Sequence, residues 1–333
     1  MKKLEIAGTE VRPGETVPIH LPISELYTST PVEIPITAIR GEEDGPVVFV
    51  TAAVHGDEIN GIEIVRRLIY DVNHESMSGA LICVPVVNVL GFLSHSRYLP
   101  DRRDLNLHFP GDKKGHTSSR IASIFFNEVV RRCDYGIDLH TAPSGRDNTA
   151  HVRADVEDPE VRRIARAFGT SILVHSRGQQ GTLRRAATEA GIPTLTFEAG
   201  EPARFNRGVT TEGFRGVLNV LMALGMMKGE IRKPPYRVIV KETVWIRAER
   251  GGILDLRVRP GQIIYEGDII SVNMNPFGAE VNTIRSPVTG MVIGTTSSPI
   301  VNPGMAICHI VRLRKALATV ERSQARRRQA RKG

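Results

Sequence analysis

The chain has 333 residues, 41% hydrophobic and 24% charged, enough for a sizeable core and for two domains. No run approaches the ~18 apolar residues of a membrane span, and MKKLEIAGTEVRPGETV has basic residues without the apolar segment of a signal peptide. The formal charge of +8 is local: Arg312–Gly333 carries nine Lys/Arg and one Glu, so the body is neutral and any attraction to nucleic acid or acidic lipid belongs to that tail.

Residues 1–46 are expected to be β-rich, with alternation in Glu15–Pro22 and Val32–Ile39 and prolines that suit edge strands. Val47-Val48-Phe49-Val50-Thr51 then predicts a buried strand. From Asn60 the apolar residues Ile62, Val65, Leu68 and Ile69 recur at helical spacing. His55-Gly56-Asp57-Glu58 therefore falls on a strand-to-helix loop at a strand's carboxyl end, the edge where open α/β sheets bind ligands. His55 and Glu58 are both good zinc ligands, and Gly56 is expected to let the backbone bend tightly between them. A second buried strand spans Ala80–Val87, and a long loop from Gly91 to Gly115 carries Arg97, Arg103, Asp104 and Asn106. Arg120–Arg132 predicts an amphipathic helix.

Tyr135–Thr141 predicts a short strand ending at His140, and Pro193–Gly200 one ending at Glu198. Between and after them lie a helix at Asp158–Gly169, a strand at Ser171–His175, a helix at Thr182–Ala190 and a long helix at Gly208–Leu224. Strands alternating with helices predict an α/β fold, a mostly parallel sheet covered on both faces. The charged, Pro/Gly-rich segment from Lys228 to Tyr236 marks the expected boundary of a domain spanning 1–230. Residues 236–312 read as a small all-β module, and 313–333 as a basic tail, either a frayed helix or disordered. Cys83, Cys133 and Cys308 form no CxxC pair and predict buried thiols in a reducing cytoplasm.

His55, Glu58, His140 and Glu198 thus share one sheet edge. Two histidines and a carboxylate, with the fourth position left to water, form a catalytic zinc set. Glu198 would be the general base, and Asp138 either an acceptor for an imidazole N–H or a core group. His108, His116 and His175 read as surface or structural histidines, and Gln179 or Gln180 as residues of a loop beside the pocket.

His-Gly-Asp-Glu after a strand, Asp104-Leu-Asn106, Asp138-Leu-His140-Thr and Phe197-Glu198-Ala-Gly resemble the succinylglutamate desuccinylase/aspartoacylase family, a branch of the zinc carboxypeptidase superfamily. The resemblance covers about residues 40–225. It implies a zinc-carboxypeptidase-like sheet and one Zn2+ per chain on His55, Glu58 and His140. It further implies Glu198 as base and acid, and cleavage of the amide of a small N-acyl amino acid or amine. Arg97 best fits the family's carbonyl-polarising arginine, with Arg103 the alternative. Asn106 matches a substrate-binding asparagine, but Leu107 stands where the family has the arginine that grips a carboxylate. Arg102, Arg103, Arg146 or Arg177 would then supply that grip, or the substrate has no carboxylate there.

The module at 236–312 resembles the barrel-sandwich fold of biotinyl and lipoyl domains through Gly261–Asp268 and Ile284–Val292. The position of the modified lysine falls at Ala279, and no lysine lies between Lys241 and Lys315, so it cannot carry biotin or lipoate on that hairpin. Expected partners are a small N-acyl substrate and, in some arrangement, a second copy of the chain. The rival readings are a peptidase or esterase with the same zinc centre, and a scaffold whose basic tail binds a polyanion.

Overall fold

The computed structural model describes residues 3–72 and 74–330. In chain order the elements of the first part are β1 (Glu5–Ile6), β2 (Thr9–Glu10), β3 (Thr16–Glu25), β4 (Pro31–Arg40), β5 (Glu43–Ala52), α1 (Asn60–Tyr70), β6 (Ser78–Val84), α2 (Val89–Leu93) and α3 (Thr117–Glu128). They continue with β7 (Tyr135–His140), β8 (Arg146–Ala154), α4 (Pro159–Phe168), β9 (Ile172–His175), α5 (Leu183–Glu189), β10 (Thr194–Gly200) and α6 (Arg207–Ala223). The later part holds β11 (Val238–Val240), β12 (Thr243–Arg247), β13 (Gly252–Leu256), β14 (Ile263–Ile264), β15 (Ile269–Met274), β16 (Glu280–Arg285), β17 (Gly290–Thr296), β18 (Ile300–Val301), β19 (Ala306–Arg312) and α7 (Leu317–Ala330).

The centre of the main sheet is parallel, in the order β6-β5-β7-β10. Apolar residues on both faces dictate this: Phe49, Val48 and Val50 on β5 and Leu195 and Phe197 on β10 are all buried. Each fully buried side chain of this size contributes about 1.5–3 kcal/mol. Helices cover both faces, because α1, α4 and α6 pack on one side and α3 and α5 on the other. The α1 backbone lies tight on the strands: a Cβ at Gly61 would come within 2.7 Å of Ala52 Cβ and 2.9 Å of Leu139 Cβ. The amphipathic stripe of α1 buries Ile64, Val65 and Leu68.

Two features depart from the sequence expectation. First, Arg146–Ala154 is a strand, where the sequence predicts none. β8 runs antiparallel to β10 and parallel to β9, so the sheet is mixed on this side as well as on the other, where β4 runs antiparallel to β6. Second, the later strands are not detached. β17 pairs with β8 through Gly294↔Asn148, Thr295↔Asp147 and Thr296↔Arg146, and β11 pairs with β9. A domain boundary near residues 230–236 stays a proposal; the later strands enclose a cluster of their own, including Ile246, Leu254, Ile264, Ile270 and Ile307.

The all-β part has a separate four-stranded antiparallel sheet, β16-β15-β13-β18. Ala279 lies in the β15–β16 turn, where its N–H reaches the Asn275 side chain. In the tail, α7 docks on this part: Val320 is fully buried, and Gln324 donates to Gly261 O. Residues 331–333 of the tail lie outside the described residues. Among the described residues no helix is long and apolar enough to cross a membrane.

Candidate metal centre

The site is built at the carboxyl ends of β5, β7 and β10. β5 ends at Ala52, and Ala53 takes φ 47°, a left-handed turn that aims His55 and Glu58 back over the sheet edge. Gly56 between them has another role than the bend expected from the sequence. Its φ lies outside the left-handed region, and a Cβ there would sit 2.1 Å from Gly91 C and 2.2 Å from Phe92 N. Glycine is required because the Asn88–Phe92 segment crosses directly over the loop. Gly56→Ala is expected to cost about 1–3 kcal/mol through overpacking, read from chemical denaturation. An unchanged midpoint would show that the two segments separate freely.

His55, Glu58 and His140 are buried, and each offers one donor atom within 4.8 Å of the others. His55 Nδ1 is 2.7 Å from Glu58 Oε1, yet it has no hydrogen bond in acceptable geometry. A buried imidazole nitrogen without a hydrogen bond, this close to a carboxylate oxygen, is a donor atom that a cation could satisfy. His140 Nδ1 lies 2.9 Å from Glu58 Oε2. The far side of each ring meets a carboxylate: His55 Nε2 lies 3.0 Å from Asp104 Oδ1, and His140 Nε2 lies 2.8 Å from Asp138 Oδ2. Each Nε2–H is therefore assigned as the donor to its carboxylate; a cation would take the place of the proton that His140 Nδ1 shares with Glu58, and His55 Nδ1 has no hydrogen bond to give up. Asp138 is the acceptor, and Thr51 Oγ1 donates to its other oxygen at 2.8 Å. Two imidazoles and a carboxylate, buried and backed by carboxylates, are a donor set that suits zinc.

The electrostatics favour a cation. Burial opposes the charged form of Glu58, but His55 and His140 outweigh it and hold its carboxyl well below the usual range. Burial likewise opposes a charged His140, but Asp138 and Glu58 outweigh it and hold the ring well above the ordinary imidazole range. Asp104 is low despite burial because His55 and Arg97 face it.

A pocket of about 220 Å³ opens onto these groups and is lined also by Arg97, Asn106, Arg153, Arg184 and Glu198. Arg97 donates to Glu58 Oε1 at 2.9 Å and to Asp104 Oδ2 at 3.0 Å. Asn106 Oδ1 accepts from Leu183 N, tying the long loop to α5. The structure does not bring Arg103 to the pocket: it is half exposed and 3.9 Å from Asp101. Arg102, Arg146 and Arg177 are absent from the lining as well. Leu107 is exposed and turned outward. Of the two loop glutamines, Gln179 lines the pocket.

Besides Arg97, the guanidiniums that reach the pocket are Arg153 and Arg184, neither foreseen from the sequence. Arg184 is 6% exposed, and burial, with Arg153 nearby, pulls its guanidinium down to about 10. Asp104 was visible only as part of a motif; its service to both His55 and Arg97 comes from the fold. A larger groove of about 940 Å³ lies far along the chain, between Leu256–Tyr265 and α7, and holds no histidine.

The succinylglutamate desuccinylase/aspartoacylase catalytic-domain model matches residues 44–224. The chain belongs to this family. Among relatives, the N-alpha-acetyl-L-2,4-diaminobutyric acid deacetylase of Halomonas elongata is 27% identical over 90% of this chain and 92% of its own. A succinylglutamate desuccinylase of Pseudomonas aeruginosa is 25% identical over 59% of this chain and 58% of its own. A succinylglutamate desuccinylase/aspartoacylase structure from Rhodobacter sphaeroides superposes with a TM-score of 0.81 at 27% identity, covering 90% of this chain and 96% of that one. The product-bound ectoine utilization protein EutE (DoeB) from Ruegeria pomeroyi has the same fold, with a TM-score of 0.82 at 24% identity over 91% of this chain and 96% of its own. Membership of this family makes the chain a hydrolase of the deacylase type, acting on a carbon–nitrogen bond other than a peptide bond.

Proposed function

We propose that the chain is a zinc-dependent deacylase that releases the acyl group from a small N-acyl amino acid or related amine. The observation that carries this reading is the convergence of His55, Glu58 and His140 beside Glu198 and Arg97 in one small pocket. Bound there, zinc would lower the pKa of a water to ~7 and polarise the acyl carbonyl. Glu198 accepts the proton of the attacking water and returns it to the leaving nitrogen. Arg97 has committed three N–H groups, to Glu58 and Asp104, so one remains on each terminal nitrogen for the carbonyl oxygen. Attack by water leaves no acyl-enzyme.

The amine side of the substrate carries a carboxylate in this reading. Arg184 is buried with no carboxylate ion pair among the described residues, and the carboxylate nearest Arg153 is that of Glu198, at 3.5 Å. A substrate carboxylate would supply the counter-charge that Arg184 lacks, with Arg153 beside it as a second guanidinium. They would thus replace the arginine that Leu107 cannot provide. The small cavity and the diaminobutyric acid relative together favour an acetyl or similarly short acyl group on an α-amino acid.

The test is a panel of N-acetyl-L-2,4-diaminobutyric acid, N-acetylaspartate and N-succinylglutamate, with a peptide, an ester and the corresponding amines lacking the carboxylate. Hydrolysis of one or more carboxylated amides, with KM raised at least about tenfold in Arg184→Ala, is expected. A preference for the peptide or ester overturns the deacylase reading; indifference to the carboxylate overturns the arginine assignment.

A further inference from the structure

The candidate base is held from the later part of the chain. β8 is flanked by β10, which carries Glu198, and by β17. Asn148 on β8 pairs with Gly200 on one side and with Gly294 of β17 on the other. Its Nδ2 donates to Glu198 Oε2 at 3.3 Å, the one hydrogen bond to that carboxylate among the described residues. Arg153 Nε stands 3.5 Å from Oε1 but is not in hydrogen-bonding geometry. Asn148 is therefore the hydrogen-bonding anchor of Glu198, with the Arg153 guanidinium at ion-pair distance from the other oxygen.

Gly294 fixes where Asn148 lies. A Cβ at Gly294 would be 2.5 Å from Asn148 Oδ1, so only glycine leaves room for the amide in its present place. Its φ lies outside the left-handed region, so the backbone would accept alanine. Next to it, Ser297 N and Thr296 Oγ1 both donate to Gly145 O, pinning the segment just after the pocket residues Thr141 and Pro143.

We propose that Asn148 is a positioning residue for Glu198 and that the later strand β17 sets it through Gly294. The proposal rests on the reading of Glu198 as the base. Its consequence is that the all-β part is a working part of the active site although it contributes no group to the pocket. Without the Asn148 hydrogen bond the carboxylate is free to turn about its terminal torsion toward Arg153, and misplacement by about 1 Å costs roughly 100-fold in such sites.

The experiment compares Asn148→Ala, Gly294→Ala, the double variant and Glu198→Gln in full-length protein, with zinc content and melting temperature measured for each. Crystal structures of metal-free Asn148→Ala and Gly294→Ala report the Glu198 torsion without turnover. The expected result is kcat reduced about 10–100-fold in Asn148→Ala, with KM within about twofold and zinc content unchanged. Gly294→Ala should fall in the same direction, and the double variant should match Asn148→Ala because both act through one side chain. A kcat within about twofold of wild type in Asn148→Ala, or losses that multiply in the double variant, would overturn it. Should Asn148→Ala not fold, an unmoved Glu198 and unaltered kcat in Gly294→Ala would overturn it equally. Undiminished turnover in Glu198→Gln would sink the base reading itself, an outcome distinct from a dead Glu198→Gln beside a normal Asn148→Ala.

Discussion

Glu198→Gln is expected to lower kcat by about 10²–10⁴-fold while leaving zinc content and fold unchanged. The substitution keeps the side chain's size and leaves an oxygen to accept from Asn148, but an amide cannot take a proton from water. Glu198 is not one of the three converging donors, so metal content should not follow activity. Single-turnover kinetics with metal analysis on the same sample separates the cases. Loss of zinc together with activity would make Glu198 a ligand, and near-full turnover would remove it from the chemistry.

Glu58→Ala should do the reverse and cost both metal and stability. Its carboxylate is 1% exposed and accepts from Arg97 Nη1 and from Thr141 N, each at 2.9 Å, while both imidazoles face it. Removing it takes one of the two carboxylates from a partly buried guanidinium, which keeps Asp104, and leaves a buried backbone N–H unpaired, a loss of about 3–5 kcal/mol for a broken buried pair. The comparison belongs to metal-stripped wild type and variant in denaturant, so that lost metal binding is not counted as lost stability. A difference under about 1 kcal/mol would mean that metal-free His55, His140 and Arg97 repel one another less without Glu58 than the structure implies.

The parts of the site that were legible in the sequence are those carried by ordinary apolar strands. β5, β7 and β10 read as buried runs, and each run stops at a chemically distinctive residue. His55, Glu58, His140 and Glu198 could therefore be assigned to one edge before any contact was known. The missed strand, β8, reads Arg-Asp-Asn-Thr-Ala-His-Val-Arg-Ala. Its pattern is polar because its residues serve the pocket and the bridge to β17, and periodicity rewards only apolar faces. Asn148 and Arg153 were lost with it.

Arg184 was hidden for another reason. It stands beside Arg185 on a short helix, and sequence alone makes the two equivalent. The fold separates them: Arg185 pairs with Glu189 at the surface, while Arg184 turns inward and donates to Ser176 O. The glycine at position 56 was located correctly but for the wrong reason, since close approach of a second segment depends on contacts far along the chain. The tail could be read either as helix or as disorder, because its composition has no strong stripe. The docking of α7 rests on Val320, with Leu317 beside it, meeting a cluster formed by β9, β11, β17 and β19.

The most direct measurement is elemental analysis of purified wild-type protein beside His140→Ala. About one zinc per chain in the wild type, lost in the variant along with deacylation, is the expected result. Wild-type protein that holds no zinc after supplementation, yet still hydrolyses an N-acyl amino acid, would contradict a zinc centre at His55, Glu58 and His140.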